Sequence, residues 1–303
     1  LPGPQGKDGR LPFTPLRYPE SGELTLAARD FLHPALKALE PEVSEFTFAN
    51  LYLFRKTHGY TLSMLPDGSP LLSGHDNGAG FFILPAGLPR VDLLTELFRR
   101  FGSMKCVTEE RAKELSALGF MVEEDRDNFD YLYSRDELSR LAGRRYHRKK
   151  NLVNYFTGRY KYEARPFLEE HRKDALAILE EWRAGEAGPG DYEAAKEGLD
   201  LSEELRLCGG IYFVEGRPAA YTLGEELNSR TFVIHFEKGV PGMKGLLQFV
   251  NRSFASILPE RYKVINREQD LGLEGLRKSK MSYRPAGFVK KYRAWQKDVA
   301  AWQ

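Results

Sequence analysis

Apolar side chains recur every three or four residues in some stretches of this chain and alternate with polar ones in others. The first period predicts helices and the second predicts strands. Residues 26–40 read as a helix entered from Thr25, with Pro34 placed to kink it. Residues 44–65 are aromatic and rich in strand formers, opening as a short helix around 48–54 and ending as a strand. PDGSP at 66–70 is a turn, and 71–85 reads as two strands joined by a Gly/Asn/Asp turn. Residues 91–102 form an amphipathic helix closed by Gly102, and 109–119 a second helix that also ends on glycine. A short buried strand, MKCVTE, lies between them, and 120–134 alternates as one further strand.

The second half repeats this order. A new unit begins within 135–166, with the boundary placed near Gly143–Lys150. A long helix at 167–185 and a loop at 187–191 lead to a segment, 200–207, that reads as helix or loop. A strand, a tight turn at 215–218 and a second strand fill 209–227, and a third strand follows at 229–239. Then come a loop opening into a helix (240–258), a strand (262–269), a short helix (273–283) and a last strand (287–296). Two units with strands and helices in similar order suggest an internal duplication. The expected fold class is α/β (α+β), two tandem domains, each a mixed central sheet flanked by helices. The expected bounds are a tail at 1–12, an N-terminal domain at 13–145 and a C-terminal domain at 146–303 carrying the donor site.

The length, 303 residues, supports two domains with substantial cores. A net charge of +2 implies no partner by itself, but the charge is unevenly spread. From Arg140 to Tyr162 there are many bases and no carboxylate, and bases again outnumber acids from Arg261 to Arg293. Two basic zones in a neutral chain point to anionic ligand groups such as phosphates. The two cysteines, Cys106 and Cys208, make no disulfide framework and are expected as plain buried thiols in a reducing, cytoplasmic setting. No apolar run approaches the roughly 20 residues of a membrane span, so no integral membrane contact is expected.

Three segments carry candidate chemistry. In 231–255 a strand leads through a glycine-bearing loop into a helix, the geometry in which free backbone N–H groups receive a phosphate. Lys238, Gly239, Val240, Gly242, Met243, Lys244 and Gly245 form that loop, which matches neither the P-loop nor the dinucleotide fingerprint. In 265–285, Arg267, Glu268 and Asp270 stand at a strand end, and Arg277 and Lys280 follow one helical turn apart. Glu268 is the candidate general base, and the three cations with Asp270 are candidate substrate contacts. The competing reading is that these charges only tie the helix to the sheet. In the basic loop GRRYHRKKN, His147, Arg148 and Lys149 are candidate contacts to a phosphate-bearing substrate. His235, on an apolar strand beside Glu237 and Lys238, and Tyr283, after the cationic helix, are candidates for proton transfer. His33, His58, His75 and His171 have no metal-ligand spacing, so no metal site is expected. Ser73, Ser253 and Ser282 lack the context of a nucleophilic serine.

The strand-loop-helix at 231–255 is similar to the acyl-CoA loop of GNAT acyltransferases, although its glycines fall out of their usual register. Together, SEFTFANLYLF (44–54), YLYSRDELSRLAGRRYHRKKNLVNYF (131–156) and INREQDLGLEGLRKSKMSYRP (265–285) resemble the family known as domain of unknown function 2156. That family is grouped with the C-terminal domain of phosphatidylglycerol lysyltransferase. The resemblance covers nearly the whole chain after the tail. It implies two tandem GNAT-like domains, as in Fem-type peptidyl transferases. It also implies transfer of an acyl or aminoacyl group from acyl-CoA (leaving CoA) or aminoacyl-tRNA to a small amine or hydroxyl acceptor. The alternative is a non-catalytic GNAT-like protein that binds a phosphorylated ligand or RNA.

Overall fold

The computed structural model describes residues 13–185, 188 and 190–297. The expected tail, 1–12, lies outside them. The chain divides into two compact units. Unit 1 holds the described residues up to 40, then 45–124 and those from 292 on, and unit 2 holds 41–44 and 125–291. The expected break between 145 and 146 therefore differs from this division, which turns at Glu124 and again at Tyr292.

Unit 1 is built on strands β1 (Gly22–Glu23), β2 (Thr61–Met64), β3 (Pro70–Asp76), β4 (Ala79–Ile83), β5 (Ser103–Val107) and β6 (Met121–Glu124). Its helices are α1 (Arg29–Lys37), which contains Pro34, then α2 (Phe48–Leu53), α3 (Arg55–His58), α4 (Val91–Phe101) and α5 (Glu109–Ala117). Asn77 and Gly78 both have positive φ and join β3 to β4, as a two-residue hairpin turn requires. On α4, Leu94, Leu97 and Phe98 are buried at helical spacing and pack with Phe82, Met104 and Leu115 into the unit's core.

Unit 2 contains β7 (Asp130–Ser134), α6 (Arg135–Arg140), α7 (His147–Arg159), β8 (Tyr162–Pro166), α8 (Arg172–Ala184) and α9 (Tyr192–Asp200). After these come β9 (Cys208–Val214), β10 (Arg217–Asn228), β11 (Thr231–Gly239), α10 (Leu246–Ile257), β12 (Val264–Asn266), α11 (Glu274–Met281) and β13 (Gly287–Val289). β14 (Tyr292–Trp295) closes the described chain within unit 1. The sheet orders are β1-β2-β3-β4-β5-β14-β6 and β13-β7-β12-β11-β10-β9-β8. Both sheets are mixed. Each has one parallel pair, β4 with β5 and β11 with β12, connected through a helix, and antiparallel neighbours elsewhere.

These orders contain an exchange. β7 follows the first six strands in sequence but pairs with β12 and β13 in the second sheet. β14 follows β13 yet pairs with β5 and β6 in the first. Each sheet thus takes the strand beside the second member of its parallel pair from the other half of the chain. Two expectations are corrected here. Residues 120–134 are two strands, β6 and β7, and 287–296 are also two, and in both cases the members belong to different sheets. The duplication reaches the backbone: the parallel pairing ends at Met104 in one sheet and Asn266 in the other, and two residues further on Cys106 (φ 56°) and Glu268 (φ 54°) are both left-handed. Cys106 is buried as expected, whereas Cys208 is exposed at the start of β9.

α10 buries Leu246, Phe249, Val250 and Phe254, and Phe249 stacks on Phe156 of α7 with ring centres 4.9 Å apart. Gly245 caps this helix at φ 91°, and a Cβ there would lie 2.3 Å from the Leu152 carbonyl oxygen. Gly245→Ala is expected to destabilise the protein by about 1–3 kcal/mol, from left-handed strain and the forced separation of α7 and α10, read as a lower urea midpoint. An unchanged midpoint would show that the loop relaxes freely.

Candidate active site

β11 and β12 pair only from Thr231 with Val264 to Val233 with Asn266. β11 then runs on to Gly239 while the β12 segment turns away, and two side-chain ion pairs bridge the opening. His235 Nδ1 lies 2.8 Å from Glu268 Oε1, and the Arg267 guanidinium donates to Glu237 Oε1 at 2.8 Å. The His235 ring is fully buried, and its Nε2 lies 3.1 Å from Glu225 Oε1 on β10. Burial alone would lower the pKa of this imidazole, but its hydrogen bonds to Glu225 and Glu268 outweigh that and push it up to about 10. The two carboxylates thus favour the protonated imidazolium. The Glu268 carboxylate, placed as base by sequence, is held against that cation.

Glu237 is different. Its side chain is 9% exposed, and only one of its oxygens meets Arg267. The other, Oε2, is buried with no hydrogen-bond partner among the described residues. Leaving a buried carboxylate oxygen unsatisfied is costly, so such an atom points to a ligand or a mobile proton. Two more buried polar atoms belong to the same sheet face, the hydroxyls of Thr222 and Tyr212, which make no well-formed hydrogen bond among the described residues although they lie close enough to interact with each other. Thr222 stands directly opposite Glu237 across β10 and β11 and opposite Gly210 across β10 and β9. The Tyr212 hydroxyl folds back over Gly210, where a Cβ would come within 3.2 Å of it. Burial, and then the Glu237 carboxylate, push the Tyr212 phenol above its usual pKa, so it keeps its proton. A row of polar groups therefore crosses three strands beneath α10, where the Tyr212 ring meets Phe249 edge-on. Sequence reading passed over Tyr212 and Thr222 and named Glu237 only as a neighbour. Their grouping depends on strand register, which a one-residue slip would undo.

Arg267 also lies over the Tyr283 ring (5.3 Å to its centre), and the Lys149 ammonium lies over the same ring at 3.8 Å. Lys149, Arg267 and Tyr283, chosen from separate segments, are thus brought together around the Tyr283 ring, and Arg267 reaches Glu237 from there. Burial pushes the Tyr283 phenol up to about 12, which keeps it protonated at neutral pH. Burial, and then the nearby Arg267 charge, bring Lys149 down to about 8. Its positive charge is present below that value and lost above it. Binding of a phosphate-bearing ligand is therefore expected to weaken as pH rises through about 8, checked by titration calorimetry with coenzyme A or tRNA. Lys149→Arg should flatten this dependence, because a guanidinium stays charged; an identical slope in the variant would remove Lys149 from the site. His147 and Arg148 are exposed beside it at the start of α7.

The rest of the C-terminal segment is a brace. Arg277 grips Asp270 with two hydrogen bonds (2.9 and 2.7 Å) and reaches Asp127 at 2.6 Å. Burial would raise the pKa of the Asp270 carboxyl, but Arg277, the Tyr131 hydroxyl and the Gly272 N–H hold it down to about 2. The Lys280 ammonium donates to the carbonyls of Arg267 (2.6 Å), Glu268 (3.1 Å) and Gln269 (2.5 Å). α11 is thereby tied to the strand end, the competing reading of these charges, though through Asp270, Asp127 and carbonyl groups.

In the glycine loop, Lys238 does not face outward: it bonds Asp191 at 2.6 Å and covers the Trp182 ring. Gly239 ends β11, and the Val240 N–H bonds the Ala219 carbonyl. Gly242 is left-handed with open space where a Cβ would go, Lys244 is exposed, and the Met243 carbonyl accepts from the Leu246 N–H. The first turn of α10 carries no carboxylate, so the residues present fit an incoming phosphate. The equivalent place in unit 1 does not. There α4 has Asp92 in its first turn, β4 stops at Ile83, and Arg111 from α5 spans the opening by donating to the Leu84 and Pro85 carbonyls. Among the described residues, no group of three or more His, Cys, Asp or Glu is placed to hold a metal ion, and no helix is long and apolar enough to cross a membrane.

Two mixed sheets flanked by helices, each with a parallel pair that splays apart, define a tandem GNAT-like protein. The chain belongs to the phosphatidylglycerol lysyltransferase C-terminal family, whose model matches residues 36–295. Among solved structures, a conserved protein of unknown function from Bacteroides thetaiotaomicron is similar over 91% of this chain and 99% of its own, with 30% identity and a TM-score of 0.82. The C-terminal domain (DUF2156) of a protein described as a lysylphosphatidylglycerol synthetase from Agrobacterium fabrum shares the fold at 11% identity and a TM-score of 0.62, covering 90% of this chain and 93% of its own. L-PGS from Bacillus licheniformis does so at 13% identity and a TM-score of 0.56, over 83% of this chain and 92% of its own. No curated protein matches the chain.

Proposed function

We propose that this protein is an acyl- or aminoacyl-transferase working at the opening between β11 and β12, with Glu237 as general base. The observation that carries this reading is the buried, unshared Glu237 oxygen beside the Thr222 and Tyr212 hydroxyls. Family membership supports it: the family is named for lysyl transfer to phosphatidylglycerol. The donor is an aminoacyl-tRNA or an acyl-CoA whose phosphates meet the 242–245 loop, Lys149 and the α7 start.

Of the two acceptor classes, a hydroxyl suits the site better. Glu237 Oε2 can only accept, while Thr222 and Tyr212 each offer an O–H. A substrate hydroxyl donates once and accepts twice, which satisfies all three atoms, whereas an ammonium brings three donors and leaves the O–H groups unmet. In the reaction the acceptor oxygen attacks the donor carbonyl carbon and its proton passes to Glu237. The bond from that carbon to the carrier's oxygen or sulfur breaks. The leaving oxygen or sulfur takes its proton from water as the carrier departs. Arg267 and Tyr283 face the charge that develops.

The test is label transfer. Purified protein is given radiolabelled lysyl-tRNA or acetyl-CoA with phosphatidylglycerol vesicles, glycerol-type alcohols or primary amines, and products are separated by chromatography. Transfer to an alcohol that Glu237→Gln abolishes supports the proposal. Tight binding of tRNA or coenzyme A with no transfer to any acceptor would favour the non-catalytic reading.

A further inference from the structure

We infer that His235 is a positioning residue: a buried imidazole between two carboxylates that pins β10, β11 and the turn after β12 together, and so sets Arg267 against Glu237. This rests on the reading of Glu237 given above. Tyr131 on β7 holds the turn by bonding the Arg267 N–H and the Glu268 carbonyl, but no backbone bond ties that turn to β11, because pairing between β11 and β12 ends at Val233 and Asn266. His235 is also the extra residue of a β-bulge. Across from it, Leu223 pairs with Phe236 and Gly224 with Ile234, leaving His235 unpaired in the ladder. The bulge turns its ring between two carboxylates, Glu225 at 3.1 Å on β10 and Glu268 at 2.8 Å beyond β12, with no side-chain exposure.

The far anchor is rigid. Glu268 holds a left-handed backbone (φ 54°), its N–H donates to Asn266 Oδ1 at 2.8 Å, and Lys280 gathers the carbonyls of 267–269. Arg267 therefore sits between two fixed residues, Asn266 in the sheet and Glu268 on the pin. From there its guanidinium reaches Glu237, two residues beyond His235 on β11. Both ion pairs that span the opening depend on one turn, and His235 ties β11 to that turn. A neutral residue at 235 releases β11 from this fixed turn and lets Glu237 drift from Arg267, which misplaces the base and the charge beside it.

The test compares His235→Gln and the milder Glu225→Gln, which removes one leg and keeps the ring, with Lys105→Met, which removes the Lys105–Asp76 ion pair of unit 1. In the transfer assay, His235→Gln should lower kcat per folded molecule about 100-fold, the penalty for roughly 1 Å of misplacement, with donor KM within about threefold of the parent. Glu225→Gln should fall in between, and Lys105→Met should lose stability but not kcat per folded molecule. A second readout needs no turnover: the guanidinium NMR signal of Arg267, assigned by its loss in Arg267→Lys, should be sharp in the parent protein and broadened in both pin variants. If the parent transfers no label, the function proposal fails and the Arg267 signal alone decides the role of His235. An unchanged Arg267 signal in folded His235→Gln, or in Glu225→Gln should the first not fold, overturns the inference. So does a kcat per folded molecule within twofold of the parent.

Discussion

Glu237→Gln lowers label transfer by about 100- to 10,000-fold, the contribution usual for a positioned general base. The amide keeps the size of the side chain and can still accept from Arg267, but it cannot take a proton. Affinity for the donor should change little, because the groups assigned to phosphate, Lys149 and the 242–245 loop, are untouched. Calorimetry with coenzyme A or tRNA measures that affinity independently of turnover. Glu268→Gln is the discriminating comparison. On the sequence reading Glu268 is the base and its loss should match that of Glu237. On the structural reading it weakens the pin on His235, so activity falls less and the protein is destabilised. A 100- to 10,000-fold loss with unchanged stability in Glu268→Gln, together with an active Glu237→Gln, would return the base to position 268.

Lys291→Met destabilises the protein by about 3–5 kcal/mol, the usual cost of removing one partner of a buried ion pair. Lys291 is 1% exposed and donates to Asp130 Oδ1 at 2.7 Å, and Asp130 is fully buried. Asp130 also receives the backbone N–H of Ser44 (2.8 Å), its hydroxyl (2.9 Å) and the amide of Asn266 (3.1 Å). These neutral donors orient the carboxylate, and Lys291 supplies the ion pair that the substitution removes. The fall appears as a lower urea midpoint with little change in slope. The double variant Asp130→Asn with Lys291→Met should recover part of the loss, because no buried charge then remains unbalanced. If Lys291→Met alone were neutral, water must reach Asp130.

The pair matters because Asp130 begins β7, the strand that sequence order would assign to the first sheet and that lies in the second. Nothing in the pattern of 120–134 announces that exchange. β6 and β7 are short alternating strands, and alternation shows that one face is buried without showing in which sheet. The same holds for β13 and β14, which read as one strand until their partners are known. α9 was missed for a related reason: its buried face is Ala194, Ala195, Gly198 and Leu199, small side chains with little hydrophobic signal. The helices α4 and α10 were legible because large apolar residues recur at helical spacing and a left-handed glycine marks one end of each, Gly102 after α4 and Gly245 before α10.

The sequence by itself determined the two-unit α/β plan, the family, and the three segments whose charges meet: the strand and loop at 231–245, the basic loop at 143–151 and the strand end at 265–283. Those follow from local periodicity, glycine placement and residue type, which act over a few neighbours. Only the tertiary structure decided what each charge does. Glu237 and Glu268 are both acidic residues near strand ends. A bulge at His235 and a left-handed turn at 268 give one carboxylate a buried imidazole and leave the other an unshared oxygen beside Thr222 and Tyr212. The segment at 265–283 remains central, as the brace that aims Arg267. Whether a carboxylate is a brace or a base depends on which groups surround it in space, and strand register and burial fix those groups.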